Sequence, residues 1–448
     1  MPRQRFHVMI IGAGTGGMCL AHGLRRAGVS VAVYERDRTR SDFLQGFRVG
    51  INPDGVRALH ECLPPELFAT FLATCAAPMR RGNLYTEQLA ELCSLSFPLD
   101  RGDLDSERSV SRVTLRQVLL TGAEDFVHFG KKFHHYQKNP DGTVTAYFED
   151  GTSATADILV AADGTRSRVR QQYLPHARLE DADVAGGGGK VPLTDEVRRL
   201  LPPHMLQGMS LIFAPKGYFF IMHVMEFRWD RDGVVKPGTD AELLRNWPGL
   251  LFDNTRDHVS WGLAAPLDAL PADLGEVTGV AAIEMAKRMT AGWSPTLHRL
   301  FELSDPGACA ISNRSQATSA PVPQWDTTNV TLLGDAIHTM TPGRGVGANT
   351  ALRDARLLCR NLAKASHGEW PVLTAIHDYE TKMIDYGFTA VRDSLRNHGK
   401  DNPLQKPVVG GLMLAAVRGG ARLVNALPPV KRKLVDNLLK SRGAGRED

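Results

Sequence analysis

Apolar and polar positions along the chain follow two alternating rhythms. Short continuous apolar runs are interleaved with longer stretches whose apolar residues recur at helical spacing. That combination predicts an α/β protein with buried strands flanked by helices. His7–Ile11 predicts a buried strand, Gly14–Ala27 a helix that Gly28 stops, and Val31–Glu35 a second strand. Pro53–Cys62 predicts a helix with its proline in the first turn, and Ser111–Leu120 an amphipathic one. A hairpin is expected from Phe126–Tyr136 and Thr143–Phe148 around a turn at Asn139–Gly142, then a buried strand over Asp157–Ala162.

The pattern changes after Pro175. Gly186–Gly189 predicts a flexible or tightly turned crossing, and Ser210 to Pro266 is strand-rich. In Tyr218–Phe227, alternation puts Phe219, Ile221, His223 and Met225 on one face and Tyr218, Phe220, Met222 and Val224 on the other. One of these faces is expected to floor a substrate pocket. Val277–Met289 reads as helix, Cys309–Ser312 and Val330–Leu333 as strands, and the chain from Ala348 onward as mostly helical with a basic tail after Pro428.

Composition narrows the classes. The chain has 448 residues, 43% hydrophobic and 23% charged, as expected of an ordinary globular protein long enough for two domains. A formal net charge of +4 suits an anionic cofactor. No dense Lys/Arg run is interleaved with aromatics, so no nucleic-acid partner is expected. Six scattered cysteines without a C-x-x-C pair argue against a metal site and a redox dithiol, and fit buried thiols in a reducing, cytoplasmic setting. The apolar run Val8–Ile11 is too short for a signal peptide, and no stretch reaches the roughly 18 apolar residues of an integral membrane segment.

Three glycine motifs carry the chemistry. Gly12, Gly14 and Gly17 follow a strand and open a helix, the context of a dinucleotide fingerprint. Gly12 permits the turn, Gly14 lets a pyrophosphate approach the backbone, and Gly17 lets the helix pack. Glu35, ending the next strand, is placed to accept hydrogen bonds from a ribose, and Arg36 adjoins it. Asp163-Gly164, followed by Arg166 and Arg170, ends another apolar strand. Gly334-Asp335 ends a third and leads into Pro342, Gly345, Gly347, Ala348 and Asn349, where a loop opens a helix. Asp335 offers an acceptor to ribityl hydroxyls, and the helix N-terminus suits negative charge on a reduced flavin. Together the motifs suggest one FAD gripped from both ends.

In these motifs, in this order, the chain resembles flavoprotein monooxygenases of the aromatic-hydroxylase type, the class built like p-hydroxybenzoate hydroxylase. The resemblance spans nearly the whole chain. It implies a Rossmann-type FAD-binding domain (1–75, 111–178 and 276–365) interleaved with a β-sheet-rich substrate domain (76–110 and 179–275), then C-terminal helices over 366–448. It implies the ADP half of FAD at Gly12, Gly14, Gly17 and Glu35, both FAD and NAD(P)H near Asp163-Gly164, the ribityl chain at Asp335, and the flavin ring at Pro342, Gly345, Gly347 and Asn349. Arg48 corresponds to an arginine near the pyrophosphate and Arg112 to one that contacts FAD. The implied reaction has NAD(P)H as a transient reductant and O₂ adding to the flavin as a C4a-hydroperoxide. One oxygen atom then hydroxylates or epoxidises an apolar or aromatic small molecule of the kind made in secondary metabolism.

Pro342, beside the ring, is a catalytic candidate. So is His223, as a base that deprotonates a phenol, although a satisfied structural histidine is its other reading. The same fold also serves flavoproteins that cyclise, isomerise or reduce double bonds without oxygen transfer. Two rival signals fail. Gly186–Lys190 lacks the Walker A pattern because positions 184 and 191 are valine. The single Gly-Trp pair, Gly292-Trp293, lacks the halogenase continuation. Val408–Val417 with the basic residues after it reads as a helical cap or a membrane-surface helix.

Overall fold

A computed structural model describes residues 5–39, 48–99, 101–227, 256–271, 275–397, 399, 402–406 and 409–445. Residues 45–47 before Arg48, and Val408, lie outside these.

Strand His7–Ile11 is apolar almost throughout, so it must be covered on both faces, which is the situation of a parallel strand. It pairs in parallel with Ser30–Tyr34 on one side and Ile158–Ala161 on the other. Val127–His128 and Val330–Leu332 extend this into a five-stranded parallel sheet. Helices Thr15–Arg26, Pro53–Cys62, Gly347–Ser366 and Val372–Asn397 contribute to one core with it, in which Ile10, Met18, Leu59, Leu352 and Tyr379 are fully buried. Parallel strands all end on the same edge. The three glycine motifs, each following such a strand, are thereby brought together where the strand order reverses beside His7–Ile11.

The second layer is an eight-stranded mixed sheet. Its order is Val277–Thr278, Ala310–Ser312, Val184–Pro192, His258–Pro266, Phe219–Met225, Gly208–Phe213, Arg81–Tyr85, Glu91–Ser96. Here Gly186–Gly189 departs from the expected turn, because it lies inside strand Val184–Pro192, paired on both sides. The glycines allow unusually close strand approach. A β-carbon at Gly187 would collide with the Ala310 carbonyl, and one at Gly186 with the Leu263 carbonyl.

One further expectation is corrected. The hairpin arm begins only at Phe133–Lys138, since Val127–His128 is taken by the edge of the parallel sheet. Residues 277–312 pack on the mixed sheet, where Ile283, Leu297, Phe301 and Ile311 join Phe220 and Trp261 in a second core.

Helices Val409–Ala426 and Pro428–Ser441 return across the mixed sheet. Arg418 pairs with Glu87, and Asn425 accepts from the Ser94 N–H at 3.1 Å. Among the described residues no helix is long and apolar enough to cross a membrane.

Candidate active site

A cavity of about 1760 Å³ runs between the two sheets. Single small-molecule sites occupy roughly 300–1,000 Å³, so this one has room for a dinucleotide and a second molecule. It brings together Gly14, Gly17, Arg48, Arg112, Gly164, His223, Gly334, Asp335, Pro342, Gly345, Gly347 and Ala348 on its walls. Gly12, Glu35, Arg36, Asp163 and Asn349 do not line it.

At the fingerprint end, Gly12 has a φ of 106° and its N–H donates to the Tyr34 carbonyl at 2.8 Å. Gly17 packs so tightly that a β-carbon would strike the Gly12 carbonyl, whereas one on Gly14 would meet nothing. Gly12 and Gly17 therefore build the turn, and Gly14 leaves it open. The Glu35 carboxylate is buried and accepts from the Ala13 N–H at 2.7 Å and the Asp37 N–H at 3.0 Å, which fixes its position under the loop. Arg36 extends outward, 70% exposed. Asp163 accepts from the Arg168 N–H at 3.0 Å, but its second oxygen is buried without a partner; burial raises its pKa, opposed by the Ser167 hydroxyl.

At the other end, the Asp335 side chain is exposed to the cavity. Behind it lies a buried network that the sequence reading missed. The Asp354 carboxylate accepts from the Gly334 N–H at 2.7 Å and from Tyr386 Oη at 2.6 Å, and it bonds His338 Nε2 at 2.7 Å. Burial alone would lower the His338 pKa, but Asp354 outweighs it and the net direction is upward. Asn349 works as a staple. It accepts from the Asn52 N–H at 2.8 Å and donates to the Gly50 and Gly345 carbonyls at 2.8 and 3.1 Å, tying the Pro342–Gly345 loop to the body.

Arg48, expected beside the pyrophosphate, commits its guanidinium to the mixed-sheet end. It donates to Ser109 Oγ at 2.9 Å, Glu107 Oε1 at 3.3 Å and His223 Nε2 at 3.1 Å. Glu107 is also clamped by Arg442, at 2.7 and 2.9 Å. Burial by itself raises the Glu107 carboxyl, but Arg442 and Arg48 hold it below the usual range. Burial, then Arg48 and Arg442, push the His223 imidazole well below its ordinary value, so it is neutral at physiological pH. No local signal marks Glu107 or Arg442, because their partners lie far away in sequence.

A family model described as FAD binding domain matches residues 5–226 and 311–390. The chain is 32% identical over 395 residues to a dual O-methyltransferase/FAD-dependent monooxygenase of Cercospora beticola, covering 84% of this chain and 44% of that protein. It thus spans less than half the length of that relative. It is 27% identical over 412 residues to an FAD-dependent monooxygenase of Trichoderma harzianum, covering 86% and 91% of the two chains. A solved structure from Photorhabdus luminescens, assigned as an FAD-containing monooxygenase, superposes with a TM-score of 0.74 at 31% identity, covering 88% of this chain and 98% of that one.

The class is that of FAD-binding proteins with a parallel dinucleotide-binding sheet set against a mixed sheet. The chain belongs to the FAD binding domain family. The residues present fit the cofactor: Gly14 leaves the loop open where a pyrophosphate would approach, and the Asp335 carboxylate on the cavity wall can accept hydrogen bonds from ribityl hydroxyls.

Proposed function

We propose that this protein is an FAD-dependent monooxygenase that takes electrons from NAD(P)H and transfers one oxygen atom of O₂ to an apolar or aromatic small molecule. The observation that carries the reading is the single cavity running from the fingerprint, past the Asp335 turn and the Pro342–Gly345 loop, to the mixed sheet. Its volume leaves space for a substrate beside a dinucleotide. The relative of similar length from Trichoderma harzianum, an FAD-dependent monooxygenase by name, supports the same reading.

When bound, FAD supplies the ring that accepts hydride and activates oxygen. The protein's own residues hold and shield. Backbone N–H groups at Gly14–Gly17 and the N-terminus of helix Thr15–Arg26 receive the pyrophosphate. Asp335 accepts from ribityl hydroxyls, and Arg112 lines the cavity as a cation. The first turn of helix Gly347–Ser366 lies on the cavity wall, where its positive end would stabilise negative charge on a reduced flavin. Pro342 and Gly345, the latter left-handed at φ 62°, shape the loop beside it. Phe213, Phe219, Ile221 and Leu211 make the opposite wall apolar, which excludes water from the reacting face.

The test is isotopic. FAD-loaded protein, supplied with NADH or NADPH, ¹⁸O₂ and a panel of planar aromatic substrates, is expected to yield product carrying one ¹⁸O atom. An oxidised or rearranged product without label overturns the proposal.

A further inference from the structure

We propose that His223, Arg48 and Ser260 form a subsite for an anionic oxygen, a phenolate or carboxylate, at one end of a planar aromatic substrate, with neutral His223 donating a hydrogen bond through Nδ1. This assignment rests on reading the cavity as the substrate site of a flavin monooxygenase, and it adds the substrate's shape and charge.

The register of the mixed sheet sets out the wall in rows. His223 lies opposite Met209 on one neighbouring strand and Ser260 on the other. Two residues along, Ile221 lies opposite Leu211 and Gly262, and Gly262 opposite Gly188. The next row holds Phe219, opposite Phe213 and Ala264, with Gly186 beyond. All of these residues line the cavity. The wall is thus polar at one end, nearly free of side chains in the middle of two strands, and aromatic at the other. A flat, rigid molecule matches that relief. A branched aliphatic one would leave the glycine floor uncovered and lose contact with it.

The direction of the hydrogen bond follows from chemistry. Arg48 carries only donors, so His223 Nε2, 3.1 Å from Arg48 Nη1, must be the acceptor. A neutral imidazole has one proton, which therefore sits on Nδ1. No described residue bonds Nδ1. The ring, only 6% exposed, presents that N–H on the cavity wall. A base would need the opposite arrangement, a free unprotonated nitrogen toward the substrate. His223 is therefore a binding residue, which departs from its role as a candidate base.

The charges around it favour an anion. Arg48 from strand Arg48–Ile51 and Arg442 from just beyond helix Pro428–Ser441 are the cations. Glu107, just before strand Arg108–Ser111, is the carboxylate they share. Two guanidiniums against one carboxylate leave an excess positive charge beside the Nδ1–H donor, inside a largely apolar cavity where it is weakly screened.

The experiment compares two probes on FAD-loaded protein by fluorescence titration: 1-hydroxy-2-naphthoate, planar and anionic, and 2-methylnaphthalene, planar and neutral. Wild type is expected to bind the anion at least about tenfold more tightly. His223→Phe is expected to lose that preference while still binding 2-methylnaphthalene, and His223→Asn, which restores a donor, to regain part of it. Equal binding of both probes by wild type overturns the subsite. So does an unchanged preference in His223→Phe.

Should His223→Phe fail to fold, ¹⁵N-histidine NMR of the wild type decides. The neutral tautomer protonated on Nδ1 is expected to persist across the range from about pH 5 to 8 in which ordinary histidines titrate. The reverse tautomer, or an imidazolium in that range, overturns the assignment. Absence of ¹⁸O in the product would instead remove the monooxygenase reading and leave these binding results standing.

Discussion

Two carboxylates divide the work around the Gly334–Asp335 turn. Asp354 is fully buried and bonded to the Gly334 N–H, His338 and Tyr386, so it fixes the turn. Asp335 points its carboxylate into the cavity. Replacing Asp335 with alanine is expected to weaken FAD binding by about tenfold, the value of a hydrogen bond to a charged group, and to leave the melting temperature of the flavin-free protein unchanged. Flavin-to-protein absorbance after gel filtration, with a melting curve of the apoprotein, checks both halves. Asp335 was legible because Gly-Asp at the end of an apolar strand has a recognisable purpose. Asp354 was not, since an aspartate within an amphipathic helix looks like an ordinary surface residue until its burial is known. Arg48 was legible as a functional arginine but not as a partner of His223, because nothing in the chain indicates that residues so far apart meet.

At the scale of elements, the glycine strand is where sequence rules mislead. Four consecutive glycines signal a turn when only neighbours along the chain are considered. Their meaning here lies across the sheet, in carbonyls of strands His258–Pro266 and Ala310–Ser312 that leave no room for a β-carbon. Gly187→Val is expected to force these strands apart and to cost about 3 kcal/mol or more, read as a lower urea midpoint and a loss of soluble yield. A midpoint within error of wild type would show that the strands yield easily. By contrast, helix Pro53–Cys62 was readable to the residue, and the start of helix Gly347–Ser366, though not its end, to within one residue. Their apolar stripes and opening proline or glycine are local signals that tertiary packing reinforces.

For the whole molecule, histidines kept neutral in the interior contribute to the loss of stability in acid. Burial lowers the His258 pKa from 6.5 to about 4, against the opposing hydrogen bond to the Arg256 carbonyl. Between those values the unfolded chain binds the proton and the folded one does not, so stability is lost as pH falls from about 6.5 toward 4, by roughly 3 kcal/mol. His223 acts in the same direction. His338, with its raised pKa, acts in the opposite one, contributing stability that fades as pH rises. Chemical denaturation from pH 7 to 4 is expected to show the fall, and His258→Asn a shallower one; parallel curves would contradict it. The sequence displayed the order of the three motifs, and parallel topology alone then gathers them on one edge. It did not display how the chain divides between the two cores, because the boundary depends on strands of two or three residues that pair with distant partners.

Arg442 makes the charge cluster depend on a distant part of the fold. It shares Glu107 with Arg48, although nearly the whole chain separates the two arginines. With Arg48 alone the Glu107 carboxylate would balance the cluster, so its positive excess depends on Arg442 being docked. Whatever loosens the segment after helix Pro428–Ser441 would therefore change the charge at the polar end of the cavity.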